Sequence, residues 1–318
     1  MITKKVLIFG ASGQIGRHCI RRLVKNNFKV IAATRNTHQK GYILKTQAPI
    51  GYIDLIETSI NNDTKIHELI KNSDVCLNLI GLLYEDRKNK FIDIHSNFPE
   101  KISKLCKLEN KKFIHVSALS LDEIHDSKYA SSKILGEKKI RKILPDATII
   151  KPSIVYSVDD NFTTKFMSLI SMLPFFPLYY GGRTKFSPIH ASDIASLINY
   201  VITKEIYGKD IEAIGPQVLT FKEIIEKLIK SIDKKRILIP LPLFIAKISA
   251  TFFQMLPNPL LTKDQLNLLK YDNVKSENGI TNFDLGCPSE IYFDQAIKKY
   301  AYNWRDGGKF AVKEIDQL

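Results

Sequence analysis

Two side chains in this sequence have the spacing of an acid–base pair. Tyr129 and Lys133 lie four positions apart, on one face of a helix expected over Tyr129–Ile143. A phenol with its ordinary pKa of about 10 is a poor proton donor at neutral pH, and an adjacent ammonium lowers that value. Ser117 ends an expected strand, Lys112–Ser117, just upstream. There its hydroxyl would polarise a substrate carbonyl. Ser117, Tyr129 and Lys133 are the residues carried forward as candidates for catalysis.

A second group of residues works through the main chain. The run Gly10-Ala11-Ser12-Gly13-Gln14-Ile15-Gly16 follows an expected strand, Lys5–Phe9, and opens an expected helix, Ile15–Lys25. A glycine at such a turn reaches backbone conformations that a Cβ blocks. Another lets a pyrophosphate approach the main chain, and a third lets helix and strand pack closely. The helix then offers its free N–H groups and positive dipole end to the phosphate. The run is read as a dinucleotide site holding Gly10, Ser12, Gly13, Gln14, Ile15 and Gly16 against the cofactor.

The choice of nucleotide follows from the end of the second strand. An NAD site places an acid there, about 20 residues past the glycines, on the ribose hydroxyls. This chain has Ala33-Thr34-Arg35-Asn36 and no acid nearby. Arg35 has the fork geometry for a 2′-phosphate, with Arg17 and Lys40 as basic neighbours. The expected cofactor is NADP(H) rather than NAD(H).

The elements that must position these residues alternate. Expected strands at Lys5–Phe9, Lys29–Thr34, Gly51–Ile53, Val75–Ile80, Lys112–Ser117 and Thr148–Pro152 are separated by helices at Ile15–Lys25, Lys65–Lys71, Phe91–Leu108 and Tyr129–Ile143. Such alternation implies β-α-β units and a parallel sheet covered on both faces. The expected fold is α/β: a Rossmann doubly wound sheet over residues 1–155, then a smaller, mainly helical C-terminal lobe over 156–318 with segments returning to the sheet. In that lobe prolines cut the pattern into short pieces, with helices expected at Asp193–Thr203, Phe221–Ile232 and Phe244–Leu256.

Composition limits the function classes. The 318 residues are 44% hydrophobic and 25% charged, an ordinary globular balance. The four cysteines form no C-x-x-C pair and the seven histidines no H-E-x-x-H spacing, so no metal site is expected. No signal peptide and no spanning apolar run is read, which predicts a cytoplasmic protein, or one peripheral on the cytoplasmic face of the inner membrane. The net charge is +14 and uneven: ten Lys and Arg residues precede the first acid, Asp54. Such a field favours anionic partners, while the absence of a recognition motif argues against nucleic acid. Leu238–Leu261 carries a single charge, Lys247. Its expected helix is either a buried core helix or a face docked on anionic lipid.

The spacing G-x-x-G-x-x-G, with Ser117, Tyr129 and Lys133, resembles the extended and atypical short-chain dehydrogenase/reductases, the NAD-dependent epimerase/dehydratase-like proteins among them. The resemblance implies four further contacts. Asp54, after the third strand, would hold the adenine amino group, a turn-forming Asp being the alternative. Leu79-Ile80-Gly81 would line the adenosine ribose, and Lys151-Pro152 would pack beside the nicotinamide, while Lys133 would also hold ribose hydroxyls. The segments Val75–Gly81, Phe113–Ser117, Ile150–Ser153, Pro174–Leu178, Leu256–Asp264 and Trp304–Phe310 resemble, more narrowly, the complex I accessory subunit family (alpha subcomplex subunit 9) and its bacterial relatives.

That family implies tightly held NADPH and a place near complex I or ubiquinone metabolism. Complex I subunits or quinone-biosynthesis enzymes are then the expected partners, beside the nicotinamide dinucleotide. The intact Tyr129/Lys133 pair keeps an alternative open: a free NADPH-dependent oxidoreductase or epimerase on a small or isoprenoid substrate. A third reading is a regulator that senses the NADPH/NADP ratio. Arg183 and His190 are candidates for a substrate pocket, though a surface Arg and a capping His fit equally.

Overall fold

The computed structural model describes residues 4–241 and 262–310. Its central sheet begins with β1 (Lys5–Phe9), α1 (Gln14–Lys25), β2 (Lys29–Thr34), α2 (Thr37–Lys45), β3 (Ile53–Glu57), α3 (Asp63–Lys71) and β4 (Val75–Asn78). A π-helical turn (Ile92–Asn97) leads into α4 (Phe98–Leu108), followed by β5 (Lys112–Val116), α5 (Lys128–Ile143) and β6 (Thr148–Pro152). Next come β7 (Val155–Tyr156), α6 (Thr163–Met172), β8 (Phe175–Leu178), β9 (Lys185–Phe186) and β10 (Ile189–His190). Then α7 (Ala191–Thr203) and β11 (Asp210–Ala213) lead to β12 (Leu219–Thr220), α8 (Phe221–Ser231), β13 (Ile237–Pro240), α9 (Lys263–Leu268) and α10 (Phe293–Lys298).

Seven strands form one sheet in the order β11-β6-β5-β4-β1-β2-β3, with every neighbouring pair parallel. This is the expected doubly wound α/β sheet. Its strands are short aliphatic runs such as Val6-Leu7-Ile8-Phe9, buried because helices cover both faces. The order reverses between β1 and β4, which opens a crevice at their carboxyl ends. Leu7, Phe9, Cys76, Phe98, Phe113 and Ile149 belong to one core that ties sheet to helices.

Two compact units share the chain. The first comprises residues 1–153, 191–214 and 275–289, and the second 154–190, 215–274 and 290–318. The expected boundary near 155 thus marks the first crossing of several, since α7 and β11 come back to the first unit. The second unit has its own core, with Tyr156, Phe176, Phe221, Phe293 and Ile297 fully or almost fully buried. It combines α6, α8, α9 and α10 with the two-stranded pairs β7–β10, β9–β12 and β8–β13. Arg183 and His190 lie in this unit. The helix expected over Phe244–Leu256, and with it the apolar 242–261 stretch, lies outside the described residues.

Three local expectations change. The third strand runs Ile53–Glu57 rather than Gly51–Ile53, because Leu55 and Ile56 continue the pairing with β2. α2 was not expected: its apolar residues fall on no single stripe, and it is fixed instead by an Asn36 side-chain cap on the Gln39 N–H at 2.9 Å. The expected single helix over Phe91–Leu108 opens with the π turn, and Pro99 sits in the first turn of α4. Beside that turn, a Cβ at Gly136 of α5 would lie 1.9 Å from the His95 carbonyl oxygen.

Candidate functional site

The glycine turn is a backbone cradle. Gly10 has φ +82°, and a Cβ there would lie 3.1 Å from the Leu79 carbonyl carbon. A Cβ at Gly16 would lie 2.5 Å from the Ala11 carbonyl oxygen, which no side chain accommodates. The Gly13 N–H donates to the Gly10 carbonyl at 3.0 Å and closes the turn. α1 starts with Gly13 at its cap, no side-chain cap bond and no acid in its first turn. The helices α2, α3 and α5 all have side-chain caps. The Gln14 Nε2 is buried and has no hydrogen-bond partner among the described residues. An uncapped helix end with a spare buried donor and no carboxylate is matched to a phosphate group. The residues present therefore fit a dinucleotide.

Beside this turn a cavity of 230 Å³ is lined by Ser12, Arg17, Lys40, Ile43 and Leu44. Burial, with help from neighbouring Arg21, lowers the Arg17 pKa from its ordinary value. Ser12 Oγ accepts from Thr34 at 3.2 Å. Arg35 is exposed and reaches Asn89 Oδ1 at 3.4 Å. Two cations thus wall the cavity, with Arg35 one residue beyond Thr34.

The second part of the site is made of side chains. Lys133 is buried, its Nζ 5.5 Å from the centroid of the Tyr129 ring. Burial lowers the Lys133 ammonium to about 8, against the opposing pull of Glu137. Tyr129 meets the rings of His95 and Phe91 edge to face, at 5.2 Å and 5.8 Å between centroids. His95 is carried by the π turn, a feature that re-aims side chains within a helix. Its Nε2 accepts from the Leu82 N–H at 3.0 Å, so its Nδ1 carries the proton and donates to Ser132 Oγ at 2.9 Å. Burial first, then Lys133 and His115, pushes the His95 pKa down to about 2. The ring is a neutral post.

His95 also joins the two parts. A Cβ on Gly81 would sit 3.9 Å from its Nε2, and Leu79 and Ile80 are the neighbours of Gly10. The segment Leu79–Gly81 therefore runs from the glycine turn to the Tyr129 side.

Beneath Lys133 lies a chain of charges. Ser117 is 4% exposed, and its hydroxyl donates to Glu137 Oε1 in a short hydrogen bond. The other Glu137 oxygen pairs with Lys151 at 2.8 Å, and Lys151 pairs with Asp210 at 3.1 Å. Asp210 in turn bonds Arg141. Burial works against the Lys151 charge, but Glu137 and Asp210 together hold its pKa above the ordinary value.

A family model described as the NmrA-like family matches residues 2–248. The chain belongs to the NmrA-like family. The NADH-ubiquinone oxidoreductase 40 kDa subunit of Neurospora crassa is 28% identical over 304 residues, covering 93% of this chain and 80% of the relative. The mitochondrial NADH dehydrogenase (ubiquinone) 1 alpha subcomplex subunit 9 of Dictyostelium discoideum is 29% identical, covering 92% and 82%. Among solved structures, the dTDP-glucose 4,6-dehydratase of Bacillus anthracis in complex with NAD has a TM-score of 0.71 at 16% identity, covering 96% of this chain and 100% of that one. This NmrA-like chain shares the fold of that dehydratase and is similar over nearly its whole length to those NADH dehydrogenase subunits.

Within this NmrA-like fold several expected site residues come together, and four do not sit as the resemblance implies. Ser117 faces Glu137 inside the protein, so its hydroxyl is already engaged. Asp54 is the second residue of β3, level with Ile31 and so back from the carboxyl edge. It pairs with Lys29 at 3.1 Å. The longer strand carries Glu57 to the edge, where it accepts from the Thr37 N–H at 2.9 Å. Lys151 and Pro152 belong to β6 itself, paired with Glu212 and Ala213 of β11. The Lys151 ammonium is spent on Glu137 and Asp210.

Sequence reasoning missed His95 and Glu137. Glu137 had a signal: it follows Tyr129 and Lys133 at the same four-residue interval, so it continues their helix face. His95 had none, since only the π turn brings it to Tyr129.

Proposed function

We propose that this protein holds NADP(H) as an accessory of respiratory complex I, with binding rather than turnover as its main role. In this reading the Gly10–Gly16 run, including Ser12, Gln14 and Ile15, takes the pyrophosphate at the α1 amino end. Arg17 and Lys40, with Arg35 at the rim, take the 2′-phosphate. Leu79, Ile80 and Gly81 flank the adenosine ribose, and Lys133 takes the ribose hydroxyls nearer Tyr129. A bound nicotinamide supplies a hydride donor or acceptor. Two groups of this chain bear on its use: Ser117, whose proton is held by Glu137, and Tyr129, backed by a neutral His95.

The observation that carries the accessory reading is kinship along nearly the whole chain to complex I subunits, at 93% and 92% coverage. The engaged Ser117 hydroxyl supports holding over turnover. The test is purification of a tagged protein from its own membranes, with mass spectrometry of bound protein and nucleotide. Complex I subunits with NADPH are expected. NAD in its place overturns the cofactor assignment, and quinone-biosynthesis enzymes or no partner overturn the accessory one.

One observation favours a second reading, a free NADPH-dependent oxidoreductase or epimerase. Lys133, lowered to about 8, stands beside Tyr129 as a proton-relay partner would. A Tyr129→Phe variant decides between them. Under the accessory reading, growth and quinone content are unchanged. A fall in both, with nucleotide still bound, establishes catalysis.

A further inference from the structure

The amino-edge corner between α2 and β3 has a composition that its place in the fold does not explain. Ile50 is 103% exposed and Tyr42 is 67% exposed. Tyr52, at 36%, is the third large apolar residue exposed within eleven positions. Isolated exposed apolar residues are ordinary, but three within one short corner, with Lys45 beside them, form a patch.

The corner is a defined projection. α2 ends at Lys45, and the Thr46 N–H bonds back to the Tyr42 carbonyl at 3.3 Å. The Tyr52 N–H closes onto the Pro49 carbonyl at 3.3 Å, so Ile50 and Gly51 form the tip of a tight turn, with Gly51 at φ +91°. A Cβ on Gly51 would meet nothing within 4 Å, so the tip projects clear of its surroundings. The Tyr52 carbonyl accepts from the Val30 N–H at 2.9 Å, which pins the base of the turn to β2.

Charge adds a second, independent observation. Residues 1–53 contain ten Lys and Arg and no acid, and the exposed Lys45 follows Tyr42 by three positions on the same side of α2. The first carboxylate of the chain, Asp54, is paired with Lys29 at 3.1 Å. No acid of the segment offsets the corner's positive field.

We propose that this corner docks on an anionic phospholipid leaflet, with Ile50 entering the acyl boundary and Tyr42 and Tyr52 at headgroup depth. An aliphatic tip, phenols beside it and a lysine at the fringe are the groups that partition to that interface. A convex one-residue tip suits a fluid surface. A protein partner would be expected to bury a broader, better-packed apolar patch.

The test uses the full chain in sedimentation with two kinds of vesicle: phosphatidylcholine alone, and an equimolar mixture with phosphatidylglycerol. Binding to the mixed vesicles is expected at low salt, with little to phosphatidylcholine. Each cation facing an anionic leaflet contributes about fivefold in partition, so Lys45→Glu lowers binding at least that much. Ile50→Asp lowers it about tenfold while leaving the salt dependence in place. Both positions are surface ones, so unchanged circular dichroism and unchanged nucleotide binding control for folding. Equal sedimentation of wild type and both variants assigns lipid binding to another surface and overturns the proposal. Failure of the wild type to sediment with mixed vesicles overturns it too, and retention on an acidic protein lost in Ile50→Asp would then put a protein in the lipid's place.

Discussion

At the β1 end of the candidate site the chemistry is in the main chain, and at the α5 end it is in buried side chains. The β1 end depends on missing atoms: no Cβ at Gly10 or Gly16 and no side-chain cap on α1. The α5 end depends on partners from distant elements: His95 from the π turn, Ser117 from β5, Lys151 from β6 and Asp210 from β11. A backbone cradle is damaged by adding a methyl group. A charge network is damaged by removing a member, because the partner left behind stays buried and unpaired. The two ends should therefore fail to opposite kinds of substitution, and for different observables.

The largest effect is expected at the α5 end. Glu137→Ala strips Lys151 and Ser117 of their shared partner inside the protein. Breaking a buried pair from one side costs about 3–5 kcal/mol. Urea unfolding should show a loss in that range, and Glu137→Gln, which still accepts from Ser117, should recover more than half of it. A loss of less than about 1 kcal/mol for the alanine variant would mean that the network is solvated and that Asp210 alone carries Lys151.

At the β1 end, Gly16→Ala sets a methyl group 2.5 Å from the Ala11 carbonyl oxygen. Overpacking of this kind costs about 1–3 kcal/mol. The turn must open to relieve it, so nucleotide affinity should fall at least about a hundredfold, more than unfolding free energy would suggest. If affinity and stability fall in proportion, the glycine serves packing and not the phosphate. Isothermal titration with NADPH beside urea unfolding separates the two.

The same contrast explains what was legible beforehand. Glycine spacing after a strand is a local signal, and the sheet needed only the alternation of short apolar runs with helical stretches. Arg35 was equally local as a candidate, but the acid that the sheet sets level with Thr34, Glu57 of β3, lay on another strand and was not. The far end depended on contacts across 37 and 20 positions, His95 with Ser132 and Ser117 with Glu137. No spacing rule reaches that far. Asp54 was misplaced because three apolar-rich residues more of strand, Leu55 to Glu57 with its acid at the end, shift the edge; a strand's end is set by its neighbour's pairing. α2 escaped notice because a capped, nearly uniform helix carries no stripe.

The histidines give a smaller effect with a definite sign. His95 falls to about 2 and His115 to about 3, each from an ordinary 6.5, burial being the first cause in both. A group whose pKa is depressed by folding contributes stability that is full above its unfolded value and is lost as pH falls. Stability should therefore decline from pH 6.5 toward about 3, each histidine adding up to about 1.4 kcal/mol per pH unit. His95→Gln removes one of the two, so the decline should be about half as steep. An unchanged slope would show that the acid sensitivity arises elsewhere and that His95 is not the neutral post of the α5 end.

The smallest expected effect tests the division between the two ends most directly. Asp54 lies level with Ile31, back from the carboxyl edge, and its partner Lys29 leaves the pair half in solvent. Such pairs contribute about 0–1 kcal/mol, so Asp54→Asn should hardly change stability. It should also leave NADPH affinity within about twofold, because loss of a direct hydrogen bond to the ligand would cost about tenfold. A tenfold loss would mean that an acid on β3 reaches the nucleotide after all. The β1 end would then owe part of its grip to a side chain, and the contrast between backbone cradle and buried network would hold only for the phosphates.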